Sequence, residues 1–378
     1  MEEMNGILMM RRKIYEWGLE PYCNQIFNKD ESPDWRPRNC YGDFLDETLQ
    51  RFLRDVEEYK SLDFSIGTDV VGGVKICSYS ELQQITDFRD ESLIKKTLSG
   101  RLFHGTIGQG SEQRSVIVKT WDFHLPFKIG QYQLTYDFCD QIEFFTNKNA
   151  NTHLKLAEWC TFCCDTRLAA VYDEKFDENI TRLLSDVILE DDFGWDDRTK
   201  VAIQLPQLLV WLHEKGIIIG TVTASCIMIE DKEMNIKVFD FGSVSDHMHK
   251  GVKVPGKCHS GWEAPDQGNM TAKSDVFVFG LLLVELITKK EVDDLFLFPI
   301  QRDKKNIVDE SFKEVDPETA SRITSMTYRC TEMKAEDRPT MKDVLNVLET
   351  AAAKMGAKGE KRKRDATNEA IEAAKYNK

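Results

Sequence analysis

The sequence predicts an α+β fold in which a β-rich part precedes a mainly α-helical part. Three observations carry that expectation. Residues from about 76 to 172 hold apolar strand-type runs, Val116-Ile117-Val118 among them, around one helical stretch near Tyr136 to Asn147. Further on, Arg198 to Glu214 and Ser274 to Thr288 read as long helices. With 41% apolar residues in 378, the chain can bury a substantial core.

Residues 1–75 form an N-terminal extension. Its opening stretch sets Arg11, Arg12 and Lys13 beside Trp17 and Tyr22. From Asp43 to Lys60, Phe44, Leu45, Leu49, Phe52, Leu53 and Val56 recur at helical spacing, which predicts an amphipathic helix that either packs on the body or binds a partner. Gly67 to Gly73 has the composition of a linker or turn. One two-part domain is then expected over 76–352, its β-rich part over about 76–172 and its helical part over about 173–352. A charged, Ala-rich tail, 353–378, carries a basic knot at Lys361 to Arg364, which reads as a solvated, frayed helix or a nuclear-import signal.

Fifty basic against 64 acidic residues leave a net charge of −14, which argues against a polyanion-binding surface and against nucleic acid as the main partner. Ten cysteines without an apolar leader read as reduced thiols of a cytoplasmic protein. Cys160, Cys163 and Cys164 lack the second ligand pair that a structural zinc site requires, so core packing is the expectation. The longest strongly apolar run, Val276 to Ile287, is shorter than the ~20 residues that span a bilayer, so no integral membrane segment is expected. Glu2 excludes an N-myristoylation signal, leaving a partner, or palmitoylation at a cysteine such as Cys23 or Cys40, to recruit the chain to the plasma membrane.

Several blocks then occur in a fixed order. Val116-Ile117-Val118-Lys119 is followed by Leu212-His213-Glu214-Lys215-Gly216, by Asp240-Phe241-Gly242, by Gly261-Trp262-Glu263-Ala264-Pro265-Asp266, by Lys273-Ser274-Asp275-Val276, and by Glu336-Asp337-Arg338-Pro339-Thr340-Met341. Together they resemble the protein-kinase signature set over about three quarters of the chain. Trp195 with Arg198, the Leu-His-Glu-Lys-Gly turn, the Arg-Pro-Thr-Met ending and the entry segment Ser78 to Leu82 are similar to the plant receptor-like cytoplasmic kinase group. The fold this implies is the bilobal protein-kinase fold, with a β-rich N-lobe and a mainly α-helical C-lobe.

Against that family, the chemistry is depleted. A kinase needs a glycine loop over the phosphates, a lysine held by a helix carboxylate, metal ligands, and a carboxylate base. The glycine positions are Lys95, Thr97 and Gly100, of which only Gly100 keeps the glycine. Ile107-Gly108-Gln109-Gly110 looks like such a loop but falls where a hairpin turn is expected. Lys119 matches the phosphate-pairing lysine, and Gln141 stands where its glutamate partner is usual; Glu143 would serve only if the register slipped by two. Ile219-Gly220-Thr221 replaces His-Arg-Asp, so Thr221 stands for the base, Thr223 for the phosphate-steadying lysine and Cys226 for a metal-binding asparagine. Threonine does not ionise near neutral pH, and thiolate is a soft ligand for a hard ion.

The resemblance leaves Asp240 as the metal ligand and, with Lys119 and Gly100, a weak hold on ATP with Mg²⁺; no cofactor is required. It assigns structural roles to Gln141, Phe241 and Gly242, to Asp266 and Arg338 as a buried acid–arginine pair, and to Asp275 as anchor of the catalytic-loop backbone. The expected function is a pseudokinase adaptor or scaffold in plant intracellular signalling, including immune signalling. Its partners would be proteins: an intracellular immune receptor, a receptor kinase or a pathogen effector. An atypical serine/threonine kinase with weak phosphoryl transfer, and a nucleotide-sensing switch without transfer, are the alternatives.

Overall fold

A computed structural model describes residues 70–71, 73–97, 100–121, 138, 141–142, 144–145, 153–164, 167–177, 181–220, 222–230, 233–241, 271–290, 306–312 and 315–354. The amphipathic helix expected over 43–60, Glu143, Thr221, Gly242, Asp266 and the basic tail lie outside them. The chain divides into two compact units, one of residues 1–182 with 237–257, the other of residues 183–236 with 258–378.

The first unit is built on a seven-stranded sheet. Its strands are β1 (Val70–Val71), β2 (Val74–Ile76), β3 (Leu93–Thr97), β4 (Gly100–Ile107), β5 (Arg114–Thr120), β6 (Trp159–Cys164) and β7 (Leu168–Tyr172), in the spatial order β1-β2-β6-β7-β5-β4-β3. All neighbours are antiparallel except β2 and β6, which run parallel. The sheet thus extends past the boundary expected near residue 76: Gly73, at φ 91°, turns β1 back onto β2, a backbone conformation that glycine adopts without a Cβ penalty. Gly108 and Gly110, both at positive φ, lie between β4 and β5, so that glycine-rich segment is a hairpin connection.

Alternation along the strands sorts their side chains onto two faces. One face carries Phe103, Val116, Val118, Cys163, Ala169 and Val171, which form a core with Cys77 and Leu82. Helix α1 (Tyr79–Ile85) covers it. Its start is a capping box: the Ser78 hydroxyl accepts from Glu81 N, and the Glu81 carboxylate accepts from Ser78 N at 2.8 Å. A Cβ on Gly105 would stand 3.0 Å from Ile85 Cγ2 and Val118 Cγ2, so glycine lets the sheet approach the helix end. The opposite face carries Leu102, Ile117, Lys119, Ala170 and Tyr172, all buried.

The second unit is mainly helical, with α2 (Trp195–Glu214), α3 (Ala272–Thr288), α4 (Pro317–Cys330) and α5 over 341–354. Thr271 caps α3, and Asp316 caps α4 with Pro317 in its first turn. Helix α3 is buried over nearly its whole length, as befits an apolar segment too short to cross a membrane. Gly280 explains how α3 and α4 come so close: a Cβ there would lie 2.7 Å from Cys330 Cβ. Among the described residues, no helix is long and apolar enough to cross a membrane. The fold is α+β, a β-sheet unit and a helical one.

Candidate functional site

In the strand-rich unit, β5 delivers Lys119 to the inner face of the sheet, opposite the small side chain of Ala170 and fully buried. Asp240 arrives on the segment after β8 (Ile227–Glu230) and β9 (Asn235–Val238), two neighbours in a small sheet. Val238 N donates to Lys155 O at 2.8 Å and Ala157 N to Val238 O at 3.0 Å, which pins the approach to Asp240. Lys119 Nζ pairs with Asp240 Oδ2, both side chains being almost wholly buried, and the ammonium also lies 4.2 Å from the centre of the Trp121 ring.

Gln141 sits beside this pair, with Phe138, Ile142, Phe144 and Phe145 on the same helical stretch. Its Nε2 donates to Asp240 Oδ1 at 2.5 Å and to Phe241 O at 2.7 Å. Since both neighbours are acceptors, the amide nitrogen must face them, and Oε1 is left without a hydrogen-bond partner. The Phe241 ring packs on Phe144 and Phe145, with centroids 4.8 and 5.5 Å away. Lys119, Gln141, Asp240 and Phe241 are therefore brought together. Gly100 opens β4 at φ 154° opposite Thr97, whose hydroxyl donates to Gly100 O at 3.1 Å, and Lys95 lies in β3.

The helical unit holds Ile219, Gly220, Thr223 and Cys226. Asp275, near the start of α3, accepts from Gly220 N at 2.7 Å and Ile219 N at 3.1 Å, and its Oδ2 lies 2.8 Å from His213 Nε2. Gly220 takes φ 87°, which favours glycine there. Thr223 Oγ1 is 2.8 Å from Ser225 Oγ and 3.4 Å from Cys226 Sγ; Thr223 and Cys226 are both buried. Their polar atoms thus face each other within a short 3₁₀ turn, Ala224–Cys226.

Two buried arginines hold main chain in the same unit. Arg338 donates to Glu332 O at 2.7 Å, Lys273 O at 2.9 Å and Met333 O at 3.1 Å, over the Phe277 ring. Arg198 donates to the carbonyls of Phe193, Ile188, Glu190 and Leu286. Burial lowers its pKa to about 10, against the opposing pull of Asp309, Asp191 and Asp192. In the sequence Arg198 is legible only as a family mark; its carbonyl cage has no residue-type signature because the acceptors are main-chain atoms, three from residues 188–193 and one from Leu286.

Family chemistry uses ATP with Mg²⁺. The residues present fit that group poorly. Mg²⁺ asks for free oxygen ligands in near-octahedral order, and both Asp240 oxygens are engaged, one by an ammonium and one by an amide. Cys226 offers sulfur where an oxygen is wanted. Among the described residues, no cluster of three His, Cys, Asp or Glu forms a metal site.

The family model for protein tyrosine and serine/threonine kinase matches residues 90–348. The probable serine/threonine-protein kinase PBL12 of Arabidopsis thaliana is 27% identical over 313 residues, 73% of this chain and 70% of that protein. The receptor-like kinase LIP2 of the same plant is 28% identical over 329 residues, 78% of this chain and 55% of LIP2. A 180-residue stretch is 31% identical to the EPD1-interacting receptor-like cytoplasmic serine/threonine-protein kinase 5D of Gossypium barbadense, covering 41% of this chain and 38% of that one. All three relatives are plant proteins named as kinases, LIP2 as receptor-like and the Gossypium protein as receptor-like cytoplasmic.

Proposed function

This chain belongs to the protein tyrosine and serine/threonine kinase family, and we propose that within it the protein is a pseudokinase, a binding module that keeps the kinase scaffold and transfers no phosphate. The observation that carries this reading is the closed set of Lys119, Asp240 and Gln141. In it the two charges that a kinase turns toward nucleotide and metal neutralise each other, and the helix supplies an amide in place of a carboxylate. Thr221 removes a general base worth about 10² to 10⁴ in rate, and Thr223 and Cys226 remove the lysine and asparagine of the same loop. Groups that act as a unit are not restored singly.

The intact anchors, Asp275 on the loop backbone and Arg338 on its carbonyls, support a scaffold held for recognition. The relatives' names support a role in plant intracellular signalling, and one of them is named for interacting with EPD1. By that analogy the partner is a protein, such as an immune receptor, a receptor kinase or a pathogen effector, and the chain works in the cytoplasm or is brought to the plasma membrane by that partner.

Purified full-length protein with Mg²⁺ or Mn²⁺ and labelled ATP is expected to give no phosphorylation above a Lys119→Ala control, and Thr221→Asp alone is expected to stay inactive. Transfer abolished by Lys119→Ala would replace this reading with an atypical active kinase. Millimolar Mg-ATP is expected to leave the melting temperature unchanged; a rise lost in both Lys119→Ala and Asp240→Asn would instead favour a nucleotide-sensing switch.

A further inference from the structure

Two thiols outside the kinase chemistry face each other across the parallel strand pair. Register runs Lys75 with Thr161 and Ile76 with Phe162, and Cys77 N continues the ladder by donating to Phe162 O at 2.8 Å. The next residues in that register are Cys77 and Cys163. Paired residues of parallel strands present their side chains to the same face, and both cysteines belong to the core beneath α1. Neighbouring strands lie about 4.8 Å apart, inside the Cα separation of about 4.4 to 6.8 Å that a disulfide requires. Across the sheet Cys163 pairs with Ala169, whose methyl group leaves room on that face.

Cys77 differs from Cys160 and Cys330. Burial pushes Cys160 up to about 11 and Cys330 up to about 12, which keeps both protonated. The Cys77 thiol is shifted the other way, chiefly by a hydrogen bond from Cys163 and then by Thr161, against burial and the Glu81 charge. Cys77 also sits where β2 ends and the chain leaves the sheet for the Ser78 cap.

We propose that Cys77 and Cys163 are a redox pair that a hydroperoxide closes into a disulfide, fastening the strand before α1 to the kinase sheet. In the first step the Cys77 sulfur attacks a peroxide oxygen, the O–O bond breaks, and the thiol proton passes to the departing oxygen, which leaves as water or an alcohol, giving a sulfenic acid. The Cys163 sulfur then attacks the Cys77 sulfur, its proton passes to the departing hydroxyl, and water leaves. The sum for hydrogen peroxide is two thiols and one peroxide to one disulfide and two waters; a dithiol reductant reverses it.

The test treats full-length reduced protein with hydrogen peroxide and then digests it under conditions that block thiol exchange. Expected is a peptide linking Cys77 to Cys163, with a rise in melting temperature of about 5 °C or more that dithiothreitol removes, because the bond closes a long loop. In Cys163→Ala the linked peptide disappears and a dimedone-type probe labels Cys77 as sulfenic acid. Should that variant fail to fold, Cys163→Val serves in its place, and the wild-type peptide map stands without either. Oxidation confined to other cysteines, or Cys77 carried to the sulfinic acid with no linked peptide, would overturn the proposal.

Discussion

Both units bury charge, and they treat it differently. In the helical unit Arg338 and Arg198 donate to main-chain carbonyls, and Asp275 takes two backbone N–H groups and a histidine. In the strand-rich unit Lys119 and Asp240 hold each other, with Gln141 bridging Asp240 to Phe241 O and keeping one amide oxygen unsatisfied. The difference teaches what each charge leaves behind when it is removed. A charge that organises backbone cannot be lost without withdrawing a partner from several main-chain groups, whereas Lys119 and Asp240 each leave one buried charge facing the gap.

The hardest blow to that comparison comes from Arg338→Ala, which takes a charged donor from three main-chain carbonyls and should cost about 3 to 5 kcal/mol. Chemical denaturation measures it. A loss below about 1 kcal/mol would mean that the carbonyl cage is not what holds the helical unit together.

Next in size is Gln141→Glu, which turns an acceptor toward Asp240 and Phe241 O in place of the donor now there. At neutral pH it should destabilise by about 2 to 3 kcal/mol. The new carboxyl, facing another, should have its folded pKa raised above the unfolded value. The penalty is then absent below the unfolded pKa and grows as pH rises through the folded one. Melting curves from pH 5 to 8 should show the variant losing ground to wild type with rising pH; a flat difference would remove Asp240 as its neighbour.

Gly280→Ala probes packing without charge. Its Cβ would meet Cys330 Cβ at 2.7 Å and Thr331 Cγ2 at 2.9 Å, so overpacking should cost about 1 to 3 kcal/mol, and Gly280→Val more. An unchanged midpoint for both would show that α3 and α4 separate freely.

The smallest effect is expected at the α1 cap. Lys75 and Ser78 together lower the exposed Glu81 carboxyl to about 2. A depressed folded pKa gives stability that is present above the unfolded value, near 4.5, and lost as pH falls toward 2. Glu81→Gln should therefore be slightly less stable than wild type at pH 7, and the two melting temperatures should converge as pH drops below about 4. A gap that stays constant down to pH 3 would mean that the carboxylate charge contributes nothing to the cap.

Local order was legible in the sequence because periodicity and spacing are local properties. The run ending in Lys119, the helix up to Glu214 and the helix through Val276 are visible as patterns, and the ordered blocks from Lys119 to Arg338 identify the family. That Thr221, Thr223 and Cys226 stand in for catalytic groups is our proposal, and it too rests on residue type at a place in a motif. What Gln141 does was not legible. Its amide meets Asp240, 99 residues away, only when the helical stretch and the segment after β9 pack together.

The same holds for the first sheet edge. Residues 67–73 read as a linker or turn because glycine is frequent there, and Gly73 is in a turn, while pairing of β2 with β6 is decided by a strand about 85 residues further on. The Arg198 cage and the Cys77–Cys163 juxtaposition belong to this class too, since their partners are main-chain atoms or a register between distant strands. By itself, then, the sequence determined the strand ending in Lys119, the long helices and the family, which depend on residue type and short-range spacing. Only the tertiary structure decided which buried charges meet. That choice rests on desolvation: a charge excluded from water must take the nearest available partner, and proximity across a hundred residues is set by packing.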